Sequence, residues 1–170
     1  MKWCLFAFAF ALALCTTGAH ADKYTDCSEG TDIVRQIIGC TQIIEERAHE
    51  PRKNRSLAYV YRGLAYFFKR DFERAITDYN TAIALDPSNA NAYNNRATIH
   101  FQKGDYVRSI ADLTRAIEIK PTAVYLANRA KLHSELGQLD RALADYTAAM
   151  EFKANSAIAP DPNAAAANSD

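Results

Sequence analysis

Residues that make tight turns are scarce in this sequence. Six glycines and five prolines occur among 170 residues. An all-β sandwich or barrel needs such residues at short, regular intervals, because each strand must reverse direction at a turn. That class is therefore excluded, and a mostly helical chain is expected.

An excess of charge of one sign is also lacking. The sequence carries 20 basic and 20 acidic side chains, so its formal net charge is zero. A protein that grips the phosphate backbone needs clustered basic residues, so no nucleic-acid partner is expected. Hydrophobic residues make up 49% of the chain and aromatic residues 11%, which excludes a wholly disordered chain.

Tryptophan occurs once, at Trp3, within an apolar run that extends to Cys15. Lys2 precedes the run and Ala19-His20-Ala21 follows it, which is the order of parts in a secretory signal with a small-x-small cleavage site. The run is too short to span a bilayer. We therefore predict a signal peptide over residues 1–21 and an exported mature protein, periplasmic or secreted, without a stable membrane anchor.

Two alternatives for this segment are less favoured. A retained membrane anchor disagrees with the short apolar run and the clean cleavage site. A lipid attached at Cys15 would require Gly, Ala or Ser immediately before it, whereas Leu14 stands there.

Cysteine is sparse as well, with four residues in the chain. Cys4 and Cys15 belong to the predicted signal peptide, which leaves Cys27 and Cys40. An even number of cysteines in an exported chain indicates a disulfide. The two residues lack the C-x-x-C spacing of redox pairs, so a structural bridge is favoured.

From Ser56 onward the sequence matches itself at shifts of 34 and then 33 residues. Tyr61-Arg62-Gly63 returns as Asn95-Arg96-Ala97 and again as Asn128-Arg129-Ala130. Each repeat divides at a short polar break into two stretches with apolar residues at three- and four-residue spacing. Each repeat is therefore predicted to form a helical hairpin.

Small residues recur where the two helices of a hairpin are expected to touch. Pro87 and Pro121 follow the second helix of the first two repeats, because proline cannot continue helical hydrogen bonding. The small residues are Gly63, Ala75 and Ala82 in the first repeat, Ala97, Ser109 and Ala116 in the second, and Ala130, Ala142 and Ala149 in the third.

This pattern resembles the tetratricopeptide repeat (TPR) family, from Ser56 to about Lys153. The resemblance implies an all-α fold, a short right-handed solenoid of helix-turn-helix repeats. We place the three repeats at residues 56–89, 90–122 and 123–153. The segment 154–170 is predicted to be a disordered tail, because its Ala, Asn, Pro and Ser residues have little to bury.

Residues 22–55 are predicted to form an N-terminal capping segment and one helix, a degenerate half repeat. Residues 32–37 parallel residues 71–76, the start of the second helix in the first repeat. A disulfide between Cys27 and Cys40 would hold the preceding short segment over a terminal apolar face.

In the family that the repeats resemble, the first helices line a concave groove that binds peptides. The equivalent asparagines Asn95 and Asn128 would hydrogen-bond the main chain of an extended peptide, or would merely solvate the face. The candidate groove residues are Tyr61, Leu64, Phe67, Phe68, Asn91, Asn94, Asn95, Thr98, Phe101 and Asn128.

Chaperone-tail binders of this family clamp a terminal carboxylate with lysines, asparagines and an arginine. Only one of the five corresponding residue types agrees here, so such a clamp is not expected. The corresponding positions are Val60, Leu64, Asn95, Val124 and Asn128.

Arginine and aspartate recur at a separation of 16 residues in every repeat. A cross-helix ion pair is slightly favoured over two solvated charges, or over an arginine that binds a partner's carboxylate. The arginines are Arg62, Arg96 and Arg129, and the aspartates are Asp78, Asp112 and Asp145.

We expect a non-enzymatic scaffold that binds a protein or peptide partner and needs no cofactor, metal or catalytic residue. One alternative is a module that self-associates as a homo-oligomer through the third repeat, near Leu139, Leu143, Met150 and Phe152. A less favoured alternative, from a different class, is a metal-binding or enzymatic accessory protein. Its candidate ligands would be His100 and His133, which occupy equivalent columns.

The predicted processing has a spectroscopic signature. Cleavage after Ala21 should leave an exported protein that begins at Asp22 and shows tyrosine emission only, because Trp3 is the one tryptophan. Amino-terminal sequencing and a fluorescence spectrum of envelope-extracted protein measure this. An Ala21→Phe variant, which loses the small residue at the site, should keep its tryptophan emission. Wild-type protein that still begins at Met1 would contradict the prediction.

Overall fold

The computed structural model describes residues 18–29 and 32–158, and these residues form eight α-helices. The all-α repeat fold predicted from the sequence is confirmed. Residues 1–17 of the predicted signal peptide and residues 159–170 of the predicted tail lie outside the described ranges. The helices are α1 (Gly18–Glu29), α2 (Ile33–Glu45), α3 (Arg52–Phe68), α4 (Phe72–Leu85), α5 (Ala90–Gln102), α6 (Tyr106–Ile119), α7 (Ala123–Glu135) and α8 (Leu139–Ile158).

The helices belong to two compact units. Helices α1 to α4 make up the N-terminal unit, which ends at Pro87, and α5 to α8 make up the C-terminal unit, which starts at Ser88. In each unit, successive helices pack on one another, so two hairpins lie side by side. The helices of the three predicted repeats are α3/α4, α5/α6 and α7/α8.

The predicted polar breaks are the turns inside the hairpins. Each turn has one residue in the left-handed conformation, and the three fall in one column of the repeat: Arg70 (φ 63°), Gly104 (φ 75°) and Gly137 (φ 69°). Glycine adopts this conformation without a Cβ clash and commonly follows the C-cap of a helix. Arg70 adopts it with a side chain, and its N–H donates to the carbonyl of Phe67 at 2.9 Å.

An aspartate after the turn starts the second helix in the first two repeats. Asp71 accepts a hydrogen bond from the backbone N–H of Arg74, and Asp105 accepts one from that of Arg108, both at 3.1 Å. Such N-caps satisfy amides that have no partner in the first turn of a helix. The caps and the left-handed residues together fix where each helix begins and ends.

The small residues lie where the helices of a hairpin touch, as the sequence predicts. A Cβ atom added at Gly63 would lie 2.7 Å from Cε1 of Tyr79, which is itself 1% exposed. Ala97 and Ala130 take the same column in the next repeats and are buried. Because a protein interior has no spare volume, only small residues allow this approach.

The recurring arginines and aspartates pair across each hairpin. In the second repeat the Arg96 guanidinium donates to both carboxylate oxygens of Asp112, at 2.9 and 2.6 Å. This bidentate geometry recurs in the other two repeats, and the three aspartates are buried. The ion-pair interpretation is therefore confirmed over the two alternatives. The other pairs are Arg62–Asp78 and Arg129–Asp145.

The N-terminal capping region differs from the predicted half repeat. The segment before α2 is itself a helix, α1, which packs on α2 and α3 and takes the place of a first helix. Cys27 and Cys40 are joined by a disulfide, which is consistent with the predicted bridge. Gly39 allows the two helices to meet, since a Cβ there would lie 2.7 Å from the carbonyl oxygen of Lys23.

Lys23 explains why sequence periodicity did not reveal α1. Its side chain is 2% exposed and pairs with Glu46 at 2.5 Å and with Glu50 at 3.3 Å, while the Tyr24 hydroxyl donates to Glu50. Burial alone would lower the pKa of Lys23, but its hydrogen bonds to the two glutamates raise that pKa above its ordinary value. The ion pairs of the buried Lys23 ammonium, together with the Cys27–Cys40 disulfide, thus hold α1 in place.

The end of the third repeat also differs from its predicted boundary. Helix α8 continues to Ile158, through the first residues of the segment predicted to be a tail. None of the helices in residues 18–29 and 32–158 combines the length and the apolar character needed to cross a bilayer.

Replacing Ala97 by leucine should destabilise the protein. Ala97 is 1% exposed at the contact of α5 and α6, so extra methylenes should lower the free energy of unfolding by about 1–3 kcal/mol. Urea unfolding followed by circular dichroism measures this. Ala111→Leu, at an exposed position of α6, is the matched control and should leave the curve unchanged. Equal curves for both variants would contradict the helix register.

Removing one charge of a cross-helix pair should also destabilise the protein. Asp112→Asn leaves the Arg96 guanidinium half-buried without a counter-ion, and should lower the free energy of unfolding by about 1–3 kcal/mol. Glu118→Gln, which breaks the exposed pair Arg115–Glu118, should cost only about 0–1 kcal/mol. Chemical denaturation compares them, and an Asp112→Asn effect no larger than that of Glu118→Gln would contradict the prediction.

Candidate functional site

A cleft of about 270 Å³ opens between the first helices of the second and third repeats, α5 and α7. The predicted groove residues Thr98, Phe101 and Asn128 line it. The lining residues are Ala97, Thr98, Phe101 and Gln102 from α5, Ser109 and Leu113 from α6, and Asn128, Lys131 and Leu132 from α7.

The cleft has an apolar floor and a polar rim. Ala97, Leu113 and Leu132 are each no more than 2% exposed and form the floor, within one hydrophobic cluster. The side chain of Phe101 packs against that cluster, and the ammonium of Lys131 lies 5.0 Å from the centre of the Phe101 ring. An apolar group can therefore enter the cleft beside a positive charge.

Asparagines form a hydrogen-bonded chain beside the cleft. The amide of Asn128 donates to Asn94 at 2.9 Å, and the amide of Asn94 donates to Asn95 at 3.3 Å. This row of asparagine side chains ends in a donor, Nδ2 of Asn95, and an acceptor, Oδ1 of Asn128. Neither atom has a hydrogen-bond partner within residues 18–29 and 32–158. A donor and an acceptor are what the main chain of an extended peptide requires.

The remaining predicted asparagine, Asn91, is engaged in a different contact. The hydroxyl of Tyr125 on α7 donates to the side-chain oxygen of Asn91 on α5 at 2.6 Å. This bond ties the two first helices of the C-terminal unit together. Asn91 is therefore a positioning residue for the cleft rather than part of its lining.

In the N-terminal unit some of the predicted aromatic groove residues contact other side chains of that unit. Tyr61 packs against the hydrophobic cluster that contains the Cys27–Cys40 disulfide. Phe67 contacts the rings of Phe68 and Phe72, with ring centres 5.7 and 5.8 Å apart. The other predicted residues in this unit are Leu64, which is half-buried, and Phe68, which is 62% exposed and offers most of its ring to solvent.

Histidines of the second and third repeats lie inside their own hairpins. Nε2 of His100 is 3.8 Å from Asp112, and Nε2 of His133 is 3.9 Å from Asp145. Burial lowers the pKa of His100 below its ordinary value, which favours the neutral ring. In the part of the chain that the structure describes, no group of three His, Cys, Asp or Glu residues could hold a metal ion.

Sequence reasoning missed the part of the cleft lining that α6 contributes. Leu113 and Ser109 lie on α6, a second helix, whereas only first helices were expected to line the groove. The sequence identified Ser109 only as a small residue at the contact of α5 and α6, and in the structure that contact borders the cleft. The hydroxyl of Ser109 donates to the carbonyl of Ala97 at 2.8 Å, so its polar atom is satisfied internally.

Family models for the tetratricopeptide repeat match the chain in consecutive segments. A TPR repeat model covers residues 63–104, and tetratricopeptide repeat models cover residues 90–122 and 123–156. A comparison with curated protein sequences gave no significant match.

Solved structures with the same fold include a crystal structure of MamA, with 21% identity and a TM-score of 0.67 over 79% of this chain and 76% of that chain. The second TPR of Spaghetti (RPAP3), bound to the HSP90 peptide SRMEEVD, is 29% identical, with a TM-score of 0.56 over 59% of this chain and 94% of that chain. The N-terminal domain of stress-induced protein-1 from C. elegans is 23% identical, with a TM-score of 0.56 over 66% and 90% of the two chains.

Proposed function

Since the chain belongs to the tetratricopeptide repeat family, we propose that it is a non-enzymatic scaffold that binds an extended segment of another protein. The cleft between α5 and α7 carries the proposal, because it combines an apolar floor with free main-chain-like hydrogen-bonding groups at its edge. Repeat proteins of this kind generally serve as interaction modules without chemistry of their own.

The size of the cleft suits a side chain rather than a whole small molecule. Its volume of about 270 Å³ is below the ~300–1,000 Å³ of most small-molecule pockets. An aliphatic or aromatic side chain of the ligand would enter above Leu113 and Leu132. The ligand main chain would then run past Asn95 and Asn128, whose unpaired amide nitrogen and oxygen can bond a carbonyl and an N–H.

The positive charge on the rim of the cleft further restricts which ligand segments fit. Lys131 is exposed and favours an acidic residue next to the apolar one. The positions of a terminal-carboxylate clamp do not support a chain end here: Val60 is buried and Val124 is an exposed apolar residue. The ligand is therefore an internal segment of its protein, held by its main chain and one apolar anchor.

The comparison structures and the cysteine chemistry support this proposal in different ways. The second TPR of Spaghetti, 29% identical to this chain, holds a peptide, so a repeat array of the same fold accepts a peptide ligand. A disulfide is stable in an oxidising compartment, and the Cys27–Cys40 bridge supports a periplasmic or secreted site of action.

A photo-reactive amino acid tests the location of the binding surface. Placed at Gln102 on the cleft rim, it should cross-link the exported protein to a partner. Placed at Ala111, which is exposed on α6 and outside the cleft, it should not. Mass spectrometry of the cross-linked product from Gln102 then identifies the bound segment.

With a synthetic peptide of that segment, Asn95→Ala and Asn128→Ala should each weaken binding by about 1 kcal/mol, roughly fivefold in Kd. Isothermal titration calorimetry measures these changes, with Val107→Ala as the exposed control on α6. Equal cross-linking at Gln102 and Ala111, or unchanged Kd values in both asparagine variants, would contradict the proposed surface.

A further inference from the structure

Large apolar side chains line one exposed face of α8. Leu139 is 69% exposed, Leu143 67%, Tyr146 40% and Met150 66%. Their spacing of four, three and four residues places all of them on one side of the helix. We name these four residues the α8 stripe.

The same columns of the preceding repeat are covered by a helix. The residues of α6 that correspond to the stripe pack into one cluster with Tyr125 and Leu132 of α7, and Leu113 at its centre is 2% exposed. In α8, by contrast, no helix of the described C-terminal unit occupies this place. The corresponding residues of α6 are Tyr106, Ile110, Leu113 and Ile117.

Apolar rows of this size rarely stay exposed in monomeric proteins, and they usually mark an interface. The segment that directly follows α8 is a poor cover, because residues 159–170 contain Ala, Pro, Asn, Asp and Ser but no large apolar residue. The occupant must therefore bring its own row of large apolar side chains.

The spacing of the stripe points to a second copy of α8 as the occupant. Its intervals of four, three and four residues are the same in both directions along the helix. Two copies of α8 in antiparallel orientation would place Leu139 of one copy opposite Met150 of the other. Leu143 of one copy would lie opposite Tyr146 of the other. A surface that complements itself in this way forms a closed two-fold interface.

The charges of α8 agree with this arrangement. In the same register Asp140 lies opposite Ala149 of the other copy, and Glu151 lies opposite Gln138, so like charges do not face each other. Asp145 is already paired with Arg129 inside its own hairpin. The pairing therefore brings no uncompensated charge into the interface.

The covered helix shows that an antiparallel neighbour fits these columns. Only three residues, Lys120 to Thr122, join α6 to α7, and so short a connection makes the two helices run in opposite directions. We propose that α8 is a self-association surface, through which two copies of this chain pair in antiparallel orientation along the α8 stripe.

The first test is the mass of the purified exported protein as a function of concentration, by size-exclusion chromatography with light scattering. The mass should rise from one chain to two in the micromolar range. Leu143→Glu and Met150→Lys, at exposed positions, should each keep the protein at the mass of one chain. Val107→Glu, 81% exposed on α6 and outside the stripe, is the matched control and should dimerise like wild type.

Circular dichroism melting checks that all variants are folded. A wild-type protein that stays at one chain mass up to the highest soluble concentration would overturn the proposal and assign the stripe to a helix of a different protein. A dimer that survives both stripe variants would overturn it as well. The measurement uses no ligand, so its outcome is independent of the cleft between α5 and α7.

Oxidative cross-linking tests the orientation, in a background with Cys4→Ala and Cys15→Ala. An equimolar mixture of Leu139→Cys protein and Met150→Cys protein should form a disulfide-linked dimer. Leu139→Cys alone should not, because the two copies of that position lie about 16 Å apart along the antiparallel helices. Efficient cross-linking of Leu139→Cys alone would indicate parallel helices and overturn the proposed pairing.

Discussion

The close approach of two helices at a residue without bulk is the constraint on which each hairpin depends. At Gly63 the space that a Cβ would fill is taken by the ring of Tyr79, and Ala97 and Ala130 occupy the same column in the next repeats. This contact brings the first and second helices near enough for a bidentate Arg–Asp pair to bridge them. The pair adds directionality, since a guanidinium fork meets two carboxylate oxygens in one orientation only.

The candidate binding site follows from the same packing. Ala97 and Ser109 are small because α5 and α6 meet there, and they leave space that α7 does not fill. Leu113 and Leu132, which hold α6 against α7, close the bottom of that space. The cleft is thus a consequence of how the second repeat is joined to the third, and its polar rim comes from positions that the packing leaves open.

The outer helices of the two units, α1 and α8, differ in the contacts that they make. In the N-terminal unit, α1 is fastened by a disulfide and by the ion pairs of the buried Lys23 ammonium with Glu46 and Glu50. In the C-terminal unit, α8 keeps a row of large apolar side chains exposed. A face that is covered in one repeat and open in the equivalent columns of the next is suited to association.

The sequence by itself determined the hairpins, because periodic apolar residues, left-handed turn positions and aspartate caps all act within a few residues of the chain. The sequence pattern did not reveal helix α1, because Lys23 pairs with glutamates that lie more than twenty residues away in the chain. The sequence also did not reveal which predicted groove residues make contacts inside their own unit. Tyr61 packs against the cluster that contains the disulfide, and Asn91 accepts a hydrogen bond from Tyr125. Those outcomes depend on contacts between helices distant in sequence, and only the tertiary structure brings such side chains together.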